Sequence, residues 1–215
     1  DNDKLFVLNN FKLYLFLFVL KKFKISIFLS LKTFKEIEKS FLSNLLSINN
    51  LDYCIQNFKN KIDVITADGG IDVSNDFNKQ EKLVGSLIVA EVIYAIIMQK
   101  FGGHFVLKVF DIFSKTTVDL LYILTALYGE VYIMKPCTSR IANSEKYIVC
   151  KNFLLNDVKK NTYKNYYFKL AYFINNYLQK YDNNNNVNIL SIIGYEIPSY
   201  FINKVDDVNI IIGQQ

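Results

Sequence analysis

The chain has 215 residues, 51% of them hydrophobic, which is enough for one domain with a sizeable core or for one domain with an appendage. Its 25 Lys and Arg against 20 Asp and Glu leave a net charge of +5, a mild basic bias that is compatible with RNA or another polyanion without establishing one. The single histidine, His104, excludes a multi-histidine metal site and most Ser-His or Cys-His catalytic schemes.

Residues 1–60 form a very apolar segment that lysine and asparagine residues interrupt. Its longest uncharged run, Leu13 to Leu20, is far shorter than the ~20 residues needed to span a bilayer, so no transmembrane span is expected. No small-residue cleavage site marks a signal peptide. A buried strand or helix pair and an interfacial helix remain as interpretations, of which burial is favoured.

Residues 61–153 alternate between strand-like and helix-like patterns. Short apolar runs predict four strands, at 61–67, 104–110, 130–136 and 144–153. An amphipathic helix is predicted from Gln80, stopped by Gly102 and Gly103. A second helix starts at a Ser/Thr-rich cap region from Ser114 and ends at Gly129. This rhythm indicates an α/β fold, a Rossmann-like open sheet with helices packed on it.

Residues 154–215 change in character and predict a helical C-terminal extension. An aromatic-rich segment at 156–181 predicts one long helix, a polar low-complexity loop follows at 182–188, and Pro198 marks the start of a short helix. The chain is therefore expected to divide into a divergent apolar segment (1–60), an α/β core (61–153) and this extension.

Three charged residues stand at strand ends of the predicted sheet. Asp68 follows a buried run and precedes two glycines, Lys108 lies near the end of the next strand, and Glu145 opens the last one. Ligands bind beyond the C-terminal ends of strands in open α/β sheets, so Asp68 and Lys108 are expected beside a cleft. Taken singly, each has a plainer interpretation: an Asp-Gly turn, a solvated lysine, and a helix or strand cap.

The phrases ADGG, GGHFVLKVFD and KPCTSRIANSEKYIVC occur in this order within residues 61–153. Together they resemble the C-terminal half of the FtsJ-like (RrmJ-like) family of S-adenosylmethionine-dependent RNA ribose 2′-O-methyltransferases. The sequence is most similar to the mRNA cap 2′-O-methyltransferases of eukaryotes and large DNA viruses. The resemblance implies S-adenosyl-L-methionine as cofactor and RNA as partner. The first transcribed nucleotide of capped mRNA is the favoured target, and ribosomal RNA is the alternative.

The family's Lys-Asp-Lys-Glu tetrad implies three catalytic residues. Lys108 would be the base or the group that orients the hydroxyl, because an alcohol is a poor nucleophile until its proton is shared or its lone pair is aimed. Glu145 would position Lys108. Asp68 would face the methyl group and the positive sulfonium, and would bind the cofactor together with Gly69. Gly69 and Gly70 would keep side chains out of the cleft.

The resemblance also implies RNA contacts in two loops. In the loop TSRIANS, Arg140 would bind a phosphate beside Ser139, since its planar guanidinium suits that group. Asn143 would hold the nucleotide that carries the acceptor hydroxyl. Asn78 and Gln80 lie in the loop after ADGG, which the cap enzymes use against RNA. A plain polar loop is the alternative in both places.

The sequence departs from the family before residue 61. No glycine precedes Gly69, so the family's glycine-rich cofactor loop is missing. The first lysine of the tetrad has no motif around it, and the candidates by type are Lys4, Lys12, Lys21, Lys22 and Lys24. Two hypotheses follow. One is an RNA 2′-O-methyltransferase, whole or lacking an N-terminal half or partner subunit. The other is a non-catalytic RNA- or partner-binding subunit that keeps the C-terminal half of the fold.

The cysteines predict the compartment. Cys54, Cys137 and Cys150 form no Cys-x-x-Cys pair and leave an odd thiol. Free, mostly buried thiols in a reducing compartment are the simple interpretation, which favours an intracellular protein of the nucleus or cytoplasm, or of a viral factory if the gene is viral. No zinc-ligand spacing is present, so no metal is expected.

Overall fold

A mixed sheet is the framework of the fold. The computed structural model describes residues 25–28, 48–69, 80–137, 139, 143–155 and 191–213. Within them, five strands form one sheet in the order β1-β2-β3-β5-β4. The strands are β1 Ile25–Phe28, β2 Ile62–Ala67, β3 Gln99–Val109, β4 Tyr128–Met134 and β5 Lys146–Phe153. The four strands predicted after residue 61 are confirmed, and so is the α/β class. The predicted helix at 156–181, the loop at 182–188 and most of 1–60 lie outside the described residues.

Strand direction brings four strand ends to one edge of the sheet. β2 and β3 are parallel, and β5 runs antiparallel to both β3 and β4. β4 therefore runs in the same direction as β3, with β5 inserted between them. The C-terminal ends of β2, β3 and β4, at Ala67, Val109 and Met134, meet the N-terminal end of β5 at Lys146. We call this the carboxyl edge. At the side of the sheet, β1 pairs antiparallel with β2.

Four helices accompany the sheet within the described ranges. They are α1 Ile48–Phe58, α2 Gln80–Met98, α3 Lys115–Leu127 and α4 Ser199–Gly213. α2 packs on β2 and β3, α3 packs on β4 and β5, and the two helices contact each other, so they share one face of the sheet. The predicted cap of α3 is confirmed, because Ser114 Oγ accepts the N–H of Thr117 at 3.3 Å. The predicted role of Gly129 is wrong: α3 ends two residues earlier, where Tyr128 turns extended and enters β4.

The second half of α2 is buried on all sides, whereas its sequence predicts an amphipathic helix. Every residue from Leu87 to Met98 is buried. The reason is its position, since the helix has the sheet on one side and both α1 and α3 against it. Among these buried residues only Glu91 carries an ionisable carboxyl group.

β3 begins at Gln99, so the prediction that Gly102 and Gly103 stop α2 is wrong. The buried side chain of Gln99 explains the earlier start. Its Nε2 donates to the carbonyl of Ile62 at 3.1 Å and to that of Asp63 at 3.0 Å. These bonds satisfy the backbone where the register between β2 and β3 shifts. Gly102, with φ +79°, and Gly103 lie inside the strand at this irregularity.

Gly103→Ala is expected to destabilise the fold by ~1 to 3 kcal/mol, the usual range for overpacking. A Cβ there would lie 2.3 Å from Gln99 Nε2 and 2.8 Å from the carbonyl oxygen of Asp63. The matched control is Gly85→Ala in α2, where a Cβ meets no described atom within 4 Å. The control should be neutral or stabilise by up to ~1 kcal/mol, because alanine favours helices. Urea unfolding measures both, and equal effects would contradict the close approach at Gly103.

A buried carboxylate anchors the described part of the C-terminal extension to α3. Asp119 is fully buried. It accepts the backbone N–H of Ile192 at 2.7 Å, that of Ile193 at 3.0 Å and the hydroxyl of Ser191 at 2.8 Å. Pro198 directly precedes α4, which confirms the helix predicted to start there. The segment after residue 190 is thus part of the same folded body as the sheet.

Candidate active site

Asp68 and Lys108, both predicted at strand ends, meet at the carboxyl edge. Asp68 directly follows β2, and Lys108 is the penultimate residue of β3. Leu107 and Val109 are fully buried, so the side chain of Lys108 between them projects from the opposite face of the strand. Its Nζ forms a salt bridge with Asp68 Oδ1, and the side chains of Lys108 and Asp68 are 15% and 46% exposed. Solvent therefore reaches the pair mainly at Asp68.

Tyr147 keeps Glu145 on the same face as this pair. Tyr147 lies directly opposite Lys108 in the register of β3 and β5, and directly opposed residues share a face. Its hydroxyl donates to Glu145 Oε1 at 2.8 Å. Burial raises the pKa of Tyr147, and Glu145 and then Asp68 raise it further, so Tyr147 lies within electrostatic reach of both carboxylates. The predicted direct positioning of Lys108 by Glu145 stays a prediction.

Asn143 organises the approach to β5. Its Oδ1 accepts the N–H of Glu145 at 3.1 Å, and its Nδ2 lies 3.5 Å from Glu145 Oε2. Lys135, just after β4, donates from Nζ to the carbonyl of Asn143. Ser139 donates its N–H to Pro136 at 2.9 Å, and its buried hydroxyl has no hydrogen-bond partner in the described part of the chain. Asn143 and Ser139 thus belong to a loop that leaves and rejoins the sheet at the carboxyl edge.

The loop that follows Lys108 is held from two directions. The buried ammonium of Lys146 donates to the carbonyls of Phe110 at 3.2 Å and Ser144 at 3.1 Å. Asn209 of α4 donates from Nδ2 to the carbonyl of Ile112 at 2.8 Å. Side chains from β5 and from α4 thus hold the loop after β3 at the carboxyl edge.

Glu91 lies behind the Asp68–Lys108 pair, and we did not predict it from the sequence. It is 1% exposed, and its Oε1 accepts the N–H of Gly69 at 2.7 Å. Burial raises the pKa of Glu91 to about 8, against the lowering effects of the Gly69 hydrogen bond and of Lys108, while Asp68 raises it. The available signal was a lone acid within the apolar run LIVAEVIYAIIM, because a buried carboxyl group needs a partner.

Packing against α2 requires a glycine at position 69. A Cβ there would lie 2.4 Å from Glu91 Oε1 and 2.8 Å from Leu87 Cδ2. The missing side chain therefore makes room for α2. The predicted contribution of Gly69 to an open cleft stays a prediction, and Gly70 lies outside the described residues.

Comparison with protein-family models identifies the family to which the chain belongs. The family model described as FtsJ-like methyltransferase matches residues 28–153, more than half of the chain. The chain belongs to the FtsJ-like methyltransferase family. The predicted resemblance is thereby confirmed, and the FtsJ-like match extends upstream of the motifs at 61–153 on which it was based.

Curated relatives of this FtsJ-like chain include cap methyltransferases. The cap-specific mRNA (nucleoside-2′-O-)-methyltransferase 2 of Drosophila melanogaster is 39% identical over 119 residues, which cover 54% of this chain and 17% of that protein. The protein of the same name from Danio rerio is 45% identical over 43% of this chain and 12% of its own length. Cap-specific mRNA (nucleoside-2′-O-)-methyltransferase 1 of Mus musculus is 44% identical over 40% of this chain and 10% of its own. The chain thus spans 10 to 17% of these relatives.

The FtsJ-like chain is also similar to solved structures. One of them is described as a ribosomal RNA methyltransferase of Plasmodium falciparum and is 22% identical, with a TM-score of 0.35 over 56% of this chain and 62% of that one. A likeness at that level supports no statement about the substrate.

Several predicted site residues of the FtsJ-like chain lie outside the described residues. Arg140 and Asn78 are among them, as are the candidates for the first lysine of the tetrad. Gln80 begins α2, but its side chain is outside the description. Their assigned contacts with RNA therefore stay predictions.

The remaining chemistry-bearing residues of the FtsJ-like chain lie away from the pair. His104 is exposed on β3, where its Nδ1 accepts the N–H of Asn152 at 3.3 Å, several residues before Lys108. Cys54 and Cys150 are buried and Cys137 is exposed, and no disulfide joins any two of them. Within the described ranges, no cluster of His, Cys, Asp or Glu could hold a metal ion. None of the described helices is long and apolar enough to cross a membrane.

Proposed function

We propose that this chain carries the catalytic centre of an RNA ribose 2′-O-methyltransferase that uses S-adenosylmethionine and acts on the first transcribed nucleotide of capped mRNA. The observation that carries the proposal is the Asp68–Lys108 salt bridge at the carboxyl edge, with Tyr147 and Glu145 beside it on β5. A lysine held against a carboxylate, where ligands bind in open α/β sheets, suits a reaction at a hydroxyl group. The names of the curated relatives favour capped mRNA over ribosomal RNA.

The described residues fit a positively charged methyl donor. Asp68 stands at the end of β2 with nearly half of its side chain exposed, so its carboxylate is able to face a sulfonium while it also holds Lys108. Gly69 follows without a side chain, and its amide is turned toward Glu91. S-adenosylmethionine supplies, when bound, a methyl carbon made electrophilic by the positive sulfur.

Lys108 orients the acceptor hydroxyl in this proposal. Held by Asp68, its ammonium group donates a hydrogen bond to the ribose 2′ oxygen and aims a lone pair of that oxygen at the methyl carbon. With the methyl donor bound, the oxygen–carbon bond would form as the carbon–sulfur bond breaks. The electron pair of the broken bond would stay on the sulfur, and the hydroxyl proton would pass to water. Tyr147 keeps Glu145 on the face where Lys108 works.

The RNA enters beside the loop between β4 and β5 in this proposal. Asn143 is bonded to Glu145, so it stands where a nucleotide that reaches Lys108 would pass. In this proposal Ser139 and Arg140, which follow β4 in the sequence, contact the phosphate backbone, and Asn78 and Gln80, which follow ADGG in the sequence, add further contacts with RNA. A cap-processing role places the protein in the nucleus or the cytoplasm, where its three thiols stay reduced.

Capped RNA is expected to accept one methyl group when its first transcribed nucleotide carries a 2′-hydroxyl. The protein is incubated with S-adenosylmethionine labelled in the methyl group and with four RNAs of one sequence. They are capped, uncapped, capped with a 2′-deoxy first nucleotide, and capped with a 2′-deoxy second nucleotide. A ribosomal RNA fragment is the fifth substrate. We expect label in the capped RNA and in its second-nucleotide deoxy form only.

Three other results would each contradict part of the proposal. Label in the first-nucleotide deoxy RNA would move the target away from that nucleotide. Label in the ribosomal fragment alone would replace the proposed substrate. Binding of RNA without transfer to any substrate would favour the non-catalytic subunit.

A further inference from the structure

The one carboxyl group in the buried half of α2 touches the backbone of the candidate site. Glu91 is 1% exposed, among neighbours such as Ala90, Val92 and Ile93 that are also buried. An uncompensated acid in such a place costs free energy, and an aliphatic side chain of similar size would pack there at no such cost. Packing alone therefore does not explain a carboxyl group at this position.

A use of the carboxyl group is visible at the turn after β2. Glu91 Oε1 accepts the N–H of Gly69 at 2.7 Å. The same oxygen would lie 2.4 Å from a Cβ at Gly69, so the turn and the carboxyl group are fitted to each other with no space for a side chain. The contact joins residues 22 positions apart in the chain, and thus fixes α2 against the end of β2.

The fitted peptide is the one that carries the charged partner of Lys108. The N–H group that donates a hydrogen bond to Glu91 belongs to the peptide bond between Asp68 and Gly69. The carboxylate of Asp68 forms the salt bridge with Lys108. Rotation of this peptide would move the Asp68 side chain relative to β3, because the backbone directions on either side of it would change. Asp68 and Lys108 are also the charged groups that act on Glu91.

We propose that Glu91 is a positioning residue of the methyl transfer: its carboxyl group fixes the Asp68–Gly69 peptide and thereby sets the Asp68–Lys108 pair. The role in methyl transfer rests on the proposed function. The link between Glu91, Asp68 and Lys108 rests on the structure alone. A hydrogen-bond acceptor at this position is what the turn needs, and a negative charge is not. The raised pKa of Glu91, about 8, agrees with a carboxyl group that is largely protonated at neutral pH.

Two substitutions separate the acceptor from the charge. Glu91→Gln keeps a carbonyl oxygen at the same reach, and Glu91→Leu keeps the volume without an acceptor. We expect Glu91→Gln to retain kcat within ~3-fold and Glu91→Leu to lose roughly 10- to 100-fold in kcat with little change in the KM for RNA, as for a displaced catalytic geometry. Met98→Leu, at another buried position of α2, is the packing control and should retain kcat.

A readout without turnover keeps the inference independent of the proposed reaction. The amide signal of Gly69 and the side-chain signals of Lys108 are followed by NMR in the wild type and the three variants. We expect Glu91→Leu to move both sets of signals and Glu91→Gln to move them little. Unchanged Gly69 and Lys108 signals in Glu91→Leu would overturn the inference, whether or not the wild type methylates RNA. An inactive wild type in which these signals move would refute the proposed reaction and leave the link standing.

A second variant covers the case in which Glu91→Leu does not fold. Gly69→Ala pushes the same contact from the other side, because its Cβ would enter the space of Glu91 Oε1. It is expected to move the Lys108 signals as Glu91→Leu does. If Gly69→Ala left the Lys108 signals where they are in the wild type, the peptide would not govern the pair, and the inference would fall.

The pH dependence of stability gives a further check. A carboxyl group whose pKa is raised by folding, here to about 8, takes up a proton on folding, so its contribution to stability is complete below its ordinary pKa near 4.5 and is lost as the pH rises through about 8. The groups that face it are Asp68 and Lys108. The Tm of Glu91→Gln should therefore gain on that of the wild type from pH 5 to pH 9. A constant difference across that range would mean that Glu91 is ionised throughout, and would contradict a largely protonated carboxyl group that serves the turn without its charge.

Discussion

Lys108→Ala is expected to lower the rate of methyl transfer by ~10² to 10⁴, the range typical of a positioned proton-transfer or hydroxyl-orienting group. The side chain is the only cation that the structure shows in contact with Asp68, in the part of the chain that it describes. Without it, the acceptor oxygen has no fixed donor and the Asp68 carboxylate has no fixed partner. The fold should survive, because the side chain projects from the face opposite the fully buried Leu107 and Val109.

The matched control lies on the same strand. Lys100 is near the start of β3 and pairs with Asp63 at 3.0 Å, with both side chains more than half exposed. Lys100→Ala should leave turnover within ~2-fold, since exposed ion pairs contribute little. Single-turnover kinetics on capped RNA measure both variants. Wild-type turnover in Lys108→Ala would remove this lysine from the mechanism, and equal losses in the two variants would point to a general effect on β3.

Asp119→Ala is expected to destabilise the fold by ~1 to 3 kcal/mol for each backbone N–H group that is left buried without an acceptor. The carboxylate is fully buried and also pairs with Lys115 at 2.9 Å. Its removal would leave the N–H groups of Ile192 and Ile193 without their acceptor. The segment after residue 190 should then detach from α3 before the sheet unfolds. Urea unfolding and limited proteolysis measure the two effects.

The control for Asp119 is an acid with an exposed partner. Asp63→Ala removes a side chain that is 69% exposed and should change the free energy of unfolding by less than ~1 kcal/mol. The pH profile adds a second check. Burial acts to raise the pKa of Asp119, but its hydrogen bonds outweigh burial and lower it, so its stabilisation should be present above its ordinary pKa of 3.8 and be lost as the pH falls below it. If Asp119→Ala were as stable as Asp63→Ala, Asp119 would not anchor the segment after residue 190.

The strands and the Asp68–Lys108 pair could be predicted because their signals are local. A short apolar run gives a strand, and a charged residue at its end gives a position on the edge of a sheet. The direction of β5 was not predicted, and it is what brings Tyr147 opposite Lys108. Antiparallel insertion depends on which strands pair, and no periodicity within a strand records its partner.

The missed features depend on partners that are distant in the sequence. Glu91 meets an amide 22 residues away, and Gln99 meets carbonyls 36 and 37 residues away. Two glycines after a helical pattern predict a stop, yet Gly103 serves the close approach of Gln99 within β3. The burial of α2 on all sides likewise follows from α1 and α3, which lie against it. Tertiary packing determines these features, and it overrides the secondary-structure preference of the local sequence.

The hairpin formed by β4 and β5 bears on how freely the loop between the two strands can change in length. The loop between them starts after Met134 and ends before Lys146, and Met134 pairs with Tyr147, which in turn pairs with Lys108. Because both ends of this loop are pinned by the same row of cross-strand pairs, insertions and deletions within it leave the strand register unchanged. The part of this loop that precedes Asn143 is thus able to change in length while Tyr147 stays opposite Lys108.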